Sequence, residues 1–166
     1  MRRRKALLRT RRALARTGLL AVVLLLGTLR AKAASSCSLV SVTGIAFGAY
    51  DPSEAGPVTQ VGSLTLRCVQ TGASPTLPIM IDLSAGSSGS FALRHLRKGG
   101  DSLRYNLYLD PASTQVWGNG SGGSGHYPHL PSNDVEKTLV IYGRILPGQN
   151  AAAGTYTDTI TVTLNF

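Results

Sequence analysis

From residue 155 to residue 166 the chain alternates. Tyr156, Ile160, Val162, Leu164 and Phe166 share one parity, and Thr157, Thr159, Thr161, Thr163 and Asn165 share the other. A period of two marks a half-buried β-strand, because successive side chains leave a pleated backbone on opposite faces. Threonine, branched aliphatics and aromatics also suit that surface. Asp158 breaks the pattern on the apolar parity, where a rim position or a buried hydrogen bond would hold it.

The same period recurs upstream between breaks of Gly, Pro and Ser. In 61–69, Leu64, Leu66 and Cys68 oppose Ser63, Thr65 and Arg67. Leu77, Ile79, Ile81 and Leu83 form another run beside Pro75 and Pro78, and Leu103, Tyr105, Leu107 and Leu109 a further one, with Arg104, Asn106 and Asp110 on its polar face. Segment 138–146 is apolar on both parities, which suggests a central strand or one covered on both faces. Segment 37–47 is less regular, with Gly44 suggesting a bulge. Segment 90–98 reads as a short strand or a helical turn, and 118–125 as a flexible surface loop. No helical periodicity is long enough to form a layer, so an all-β sandwich is expected.

Charge first suggests a nucleic-acid partner, with 17 Lys and Arg against 8 Asp and Glu. Ten of those cations precede Ala33, however, and the remainder of the chain carries seven cations against eight acids. The basic character therefore belongs to a leader, and no nucleic-acid partner is expected. Residues 1–33 read as a signal peptide: a charged stretch, an apolar stretch of about a dozen residues, then Ala31-Lys32-Ala33 as a cleavage signal. The apolar stretch is shorter than the ~20 residues that span a bilayer, so no membrane span is expected once the leader is removed. Residues 34–166 form the single expected domain of an exported protein.

That domain contains two cysteines, Cys37 and Cys68. An even count in an exported chain favours a structural disulfide over a metal site. Closing a loop of about 32 residues stabilises by roughly 3.5–4 kcal/mol in the chain-entropy description.

Catalysis needs a nucleophile, a base and an orienting group held together. His95, His126 and His129 fall in no hydrolase, zinc-protease or phosphate-loop signature. The H-x-x-H spacing of His126 and His129 lies in a Gly/Pro loop without carboxylate or cysteine companions, which favours a solvated loop over a metal site. No enzyme activity, metal or cofactor is expected. Tyr108 lies on the polar parity of its strand and is expected at the surface. Any one of Tyr105, Tyr142, Tyr156 and Trp117 is expected to pack in the core or an interface rather than to form a ligand platform. Trp117, His126, Tyr127 and His129 nevertheless form a candidate ligand loop, should the protein be a stand-alone secreted binding module or adhesin.

Taken in order, Cys37, Phe47-Gly48-Ala49-Tyr50, Leu66-Arg67-Cys68, Leu103-Arg104-Tyr105-Asn106-Leu107-Tyr108, Trp117-Gly118, Val140-Ile141-Tyr142-Gly143-Arg144-Ile145 and Gly154-Thr155-Tyr156-Thr157-Asp158-Thr159 resemble the spore coat protein U family. That domain is shared by archaic chaperone–usher pilins and secreted coat proteins of Gram-negative bacteria. The resemblance implies an immunoglobulin-like β-sandwich lacking its final strand. It also implies a periplasmic chaperone, an outer-membrane usher and a pilin subunit that supplies the missing strand. Ile160, Val162, Leu164 and Phe166 would then line the accepting edge. Polymerising pilins carry a donor segment of about ten residues or more ahead of the first cysteine, the length of a strand. Here only Ala34, Ser35 and Ser36 would remain, so the chain is expected to accept a strand without donating one, as a fibre tip or coat component.

Overall fold

The computed structural model describes residues 34–71, 78–132 and 135–166; the leader and Leu77 lie outside the described residues. Alternating runs pair where their apolar faces meet, and eight strands result among the described residues. They are β1 (Ala34–Thr43), β2 (Val58–Thr71), β3 (Ile79–Leu83), β4 (Arg94–Lys98), β5 (Asp101–Tyr108), β6 (Tyr127–His129), β7 (Glu136–Ile145) and β8 (Val162–Asn165). One sheet runs β1-β2-β7-β5-β4 and the other β6-β3-β8. All pairings between these strands are antiparallel. Among the described residues, no helix is long and apolar enough to cross a membrane.

The inward parities build the core as expected. Leu64, Leu66 and Cys68 of β2, Leu103, Tyr105 and Leu107 of β5, and Leu139, Ile141 and Ile145 of β7 are buried from the larger sheet. Ile79, Ile81 and Leu83 of β3 meet them from the smaller sheet. β7 is central, between β2 and β5. Only its inner face is closed, since Val140 is 42% exposed.

Of its two readings, segment 90–98 takes the strand, β4, which turns into β5 through Gly99 and Gly100, with Gly99 at a φ of 57°. Other expectations need correction. β6 lies in what reads as loop, and its Pro128 suits the edge place it occupies, where a missing N–H costs no ladder bond. The bulge in β1 falls between Leu39 and Ser41, where the consecutive apolar pair Leu39-Val40 breaks the alternation. Gly44 lies just beyond the strand. Residues 118–125 are a tied loop, since Gly118 N donates to Gly125 O at 2.7 Å and Gly125 N to Val116 O at 2.8 Å.

The terminal run is a regular strand only over β8, because it changes sheets. Thr157 exchanges two main-chain bonds with Arg97 of β4, at 2.8 and 3.0 Å. Four residues later, Thr161 O accepts from Ser84 N at 2.9 Å, and β8 then pairs with β3.

Candidate functional site

That change of sheet leaves a cleft along one side of the sandwich. Its first wall is the end of β1 and the chain beyond it, residues 42–50, and its second is the terminal run, 151–162. Among the described residues, neither 44–50 nor 158–161 belongs to a strand, and β1 and β8 are edge strands of their sheets. The inner compartment holds about 190 Å³ between Val42, Ile45, Ile160 and Val162. The outer compartment, about 670 Å³, opens between Tyr50 and Ala151 to Tyr156. Leu96, Tyr105, Leu107 and Ile141 form an apolar floor.

Two glycines let the first wall lie close. A Cβ on Gly62 would stand 2.6 Å from Thr43 O, and one on Gly143 would stand 2.7 Å from Phe47 Cζ. Phe47 then packs edge-on against Tyr105, with centroids 5.8 Å apart. The Tyr105 hydroxyl donates to Asp158 Oδ2 at 2.8 Å, which supplies the buried hydrogen bond that Asp158 requires on the apolar parity. Burial first, and then this bond, push the Tyr105 phenol well above its ordinary pKa.

Side chains brace the outer end. Gln149 N donates to the Tyr50 hydroxyl at 2.7 Å, and Gln149 Oε1 accepts from Arg104 N, also at 2.7 Å. Lys98 Nζ donates to Ala153 O at 2.6 Å and sits 5.6 Å from the Tyr156 ring centre.

Of the residues assigned to the accepting edge, Ile160 and Val162 line the cleft. Leu164 is half-buried against the core and faces Ile81 across the ladder. Phe166 lies past β8 and is 69% exposed, so it leaves the inward set. Cys37 and Cys68 face each other across β1 and β2 and form the disulfide.

The ligand loop does not assemble as expected. Trp117 is a core residue at 0% exposure, with Nε1 donating to Ile81 O at 2.8 Å. Its flat apolar ring pays less solvation cost inside than at a loop tip, and the indole N–H finds a carbonyl there. Tyr127 packs 5.8 Å from it, and Tyr127 and His129 belong to β6. His126 Nδ1 lies 3.8 Å from Asp82 Oδ1. Among the described residues, no three His, Cys, Asp or Glu side chains gather as a metal site.

Sequence reasoning missed Arg94 and Asn106. Arg94 is fully buried; it donates from Nη1 to Asn106 Oδ1 at 2.6 Å and from Nη2 to Trp117 O at 2.7 Å and Ser84 O at 2.8 Å. Asn106, expected on a polar face, is buried beneath the chain at Phe91 and Ala92, whose carbonyls accept from its Nδ2. An arginine in a strand of charged residues carries no sign of this in its own segment.

Three comparisons bear on this architecture. The chain is 33% identical over 147 residues to Protein U of Myxococcus xanthus, covering 82% of this chain and 80% of that protein. Its fold matches a chain of the CsuC-CsuE chaperone-tip adhesion subunit pre-assembly complex from archaic chaperone-usher Csu pili of Acinetobacter baumannii, with a TM-score of 0.52 and 24% identity. That match covers 80% of this chain but only 40% of the solved one. Residues 24–163 match the Spore Coat Protein U domain. A match of that extent, together with a relative one-third identical along most of both lengths, means that the chain belongs to the Spore Coat Protein U domain family.

Proposed function

We propose that this protein is an exported structural subunit of a surface fibre or coat, and that its cleft accepts a β-strand from another chain. The carrying observation is an apolar floor between two stretches, 44–47 and 158–160, that belong to no strand among the described residues. A strand laid there takes up main-chain bonds and buries alternate side chains. Burying four or five of them gives a gross gain of roughly 6–15 kcal/mol before ordering costs. A whole domain is stable by about 5–15 kcal/mol, so this one contact is large enough to decide folding.

In this reading a periplasmic chaperone fills the cleft first, and a neighbouring subunit replaces it at an outer-membrane usher. Ile160 and Val162 contact the incoming strand, while Leu164 extends the same edge. The leader and the disulfide support passage through an oxidising compartment. Because Ala34–Thr43 is already paired with β2, leader removal after Ala33 would leave no free strand to donate, in keeping with a tip or coat component.

The test is to purify the protein alone and with a candidate chaperone or a strand peptide. A large rise in melting temperature and in monomer solubility with the helper is expected. A compact, monodisperse, heat-resistant protein without any helper overturns the strand-acceptor reading. Self-assembly into rods overturns the tip or coat assignment.

A further inference from the structure

The cleft is not apolar throughout. Asp158 borders both compartments, and on the terminal run it precedes Ile160 and Val162 on the same parity. Its Oδ1 accepts from Ser87 N and Thr159 N, each at 2.9 Å, and its Oδ2 accepts from the Tyr105 hydroxyl at 2.8 Å. A carboxylate offers about four acceptor sites, so these three bonds leave roughly one unfilled. Among the described residues no cation forms an ion pair with Asp158. The nearby Arg94 spends its donors on Ser84, Asn106 and Trp117.

While the cleft is open, solvent reaches this half-buried carboxylate. A seated strand displaces that solvent, and an unmet acceptor on a charged group is then costly. Positions two and four residues along the strand face Ile160 and Val162, where aliphatic side chains fit the smaller compartment.

We propose that the cleft selects its incoming strand by the inward side chain that meets Asp158. A lysine, arginine, serine or threonine is accepted there; an aliphatic or acidic residue is refused. The preferred strand thus places two aliphatics and one hydrogen-bond donor on its inward face, at alternate positions. This selectivity rests on the strand-acceptor reading above.

Alternating peptides that differ only at the position facing Asp158, carrying Lys, Thr, Val or Asp, would be titrated into the purified protein and followed by fluorescence anisotropy. The Lys and Thr peptides are expected to bind about tenfold or more tighter than the Val peptide, and the Asp peptide weakest of all. Equal binding by all four overturns the selectivity and leaves the strand-acceptor reading standing. Binding by none overturns both. In Asp158→Asn the preference for Lys over Asp should collapse while Thr stays favoured over Val. A preference for Lys over Asp that survives this change also overturns the proposal. Should that variant fail to fold, the four peptides on the unaltered protein still decide.

Discussion

The two ends of the floor beneath β4 and β5 solve the same problem in opposite ways. Around Arg94 a charge with no exposed surface is met by Ser84 O, Trp117 O and Asn106 Oδ1, so the chain satisfies itself. Along the cleft, Ile160 and Val162 stay half-buried and the main chain of 158–161 lies outside any strand. Tyr105 joins the two regions, with its ring on the cleft floor and its hydroxyl on Asp158. The contrast teaches that, along this side and among the described residues, main chain outside the strands coincides with the change of sheet.

Changes at the sealed end should act alike with or without a strand partner. Arg94→Met removes the guanidinium donors from Ser84 O and Trp117 O, leaves Asn106 Oδ1 with Leu107 N alone, and should cost about 3–5 kcal/mol in urea unfolding, whether or not the cleft is filled. A loss below about 1 kcal/mol would show that this end is not held by the guanidinium. Replacing Cys37 and Cys68 together by serine should cost about 3–4 kcal/mol, since the bridge closes a long loop. Ile160→Ala should separate the two regions most clearly. Its cost should be about 1 kcal/mol in the free protein and about 2–4 kcal/mol with a strand bound, because only then is the side chain fully enclosed. Equal costs in both states would mean that no strand packs on Ile160.

Two titrations sharpen the comparison further. The Tyr105 pKa is raised in the fold by burial and then by Asp158. Its contribution is therefore complete below the ordinary tyrosine value of about 10 and declines as pH rises past it. Tyr105→Phe should flatten the alkaline limb of a stability–pH profile. The smallest effect is expected at His129, whose pKa is lowered by burial and then by Lys137. A lowered histidine contributes stability above its ordinary value of about 6.5 and loses it as pH falls, so His129→Gln should slightly flatten the acid limb.

Much of the core was legible from alternation. Leu64, Leu66 and Cys68, and likewise Ile79, Ile81 and Leu83, point inward as their spacing requires. Asp158 was legible as an exception needing a partner, though Tyr105 was not identifiable as that partner. β4 was left open between strand and helical turn because its inward residues, Arg94 and Leu96, do not look apolar as a set. Asn106 was misplaced because residue type alone puts amides on polar faces, whereas the chain at Phe91 and Ala92 buries it. Trp117 packs in the core, the favoured reading for a lone aromatic, and not in a ligand loop.

The sequence by itself determined that the domain is built of strands, which faces turn inward, and which cysteines are available to pair. Those properties follow from side-chain direction along a pleated backbone, whatever lies next to it. Only the tertiary structure decided where the terminal run leaves β4 for β3, which edge stays open, and why an arginine sits in the core. Each depends on hydrogen bonds between residues far apart in the chain, such as Ser84 with Thr161 and Arg94 with Trp117, and no periodicity within a segment encodes them.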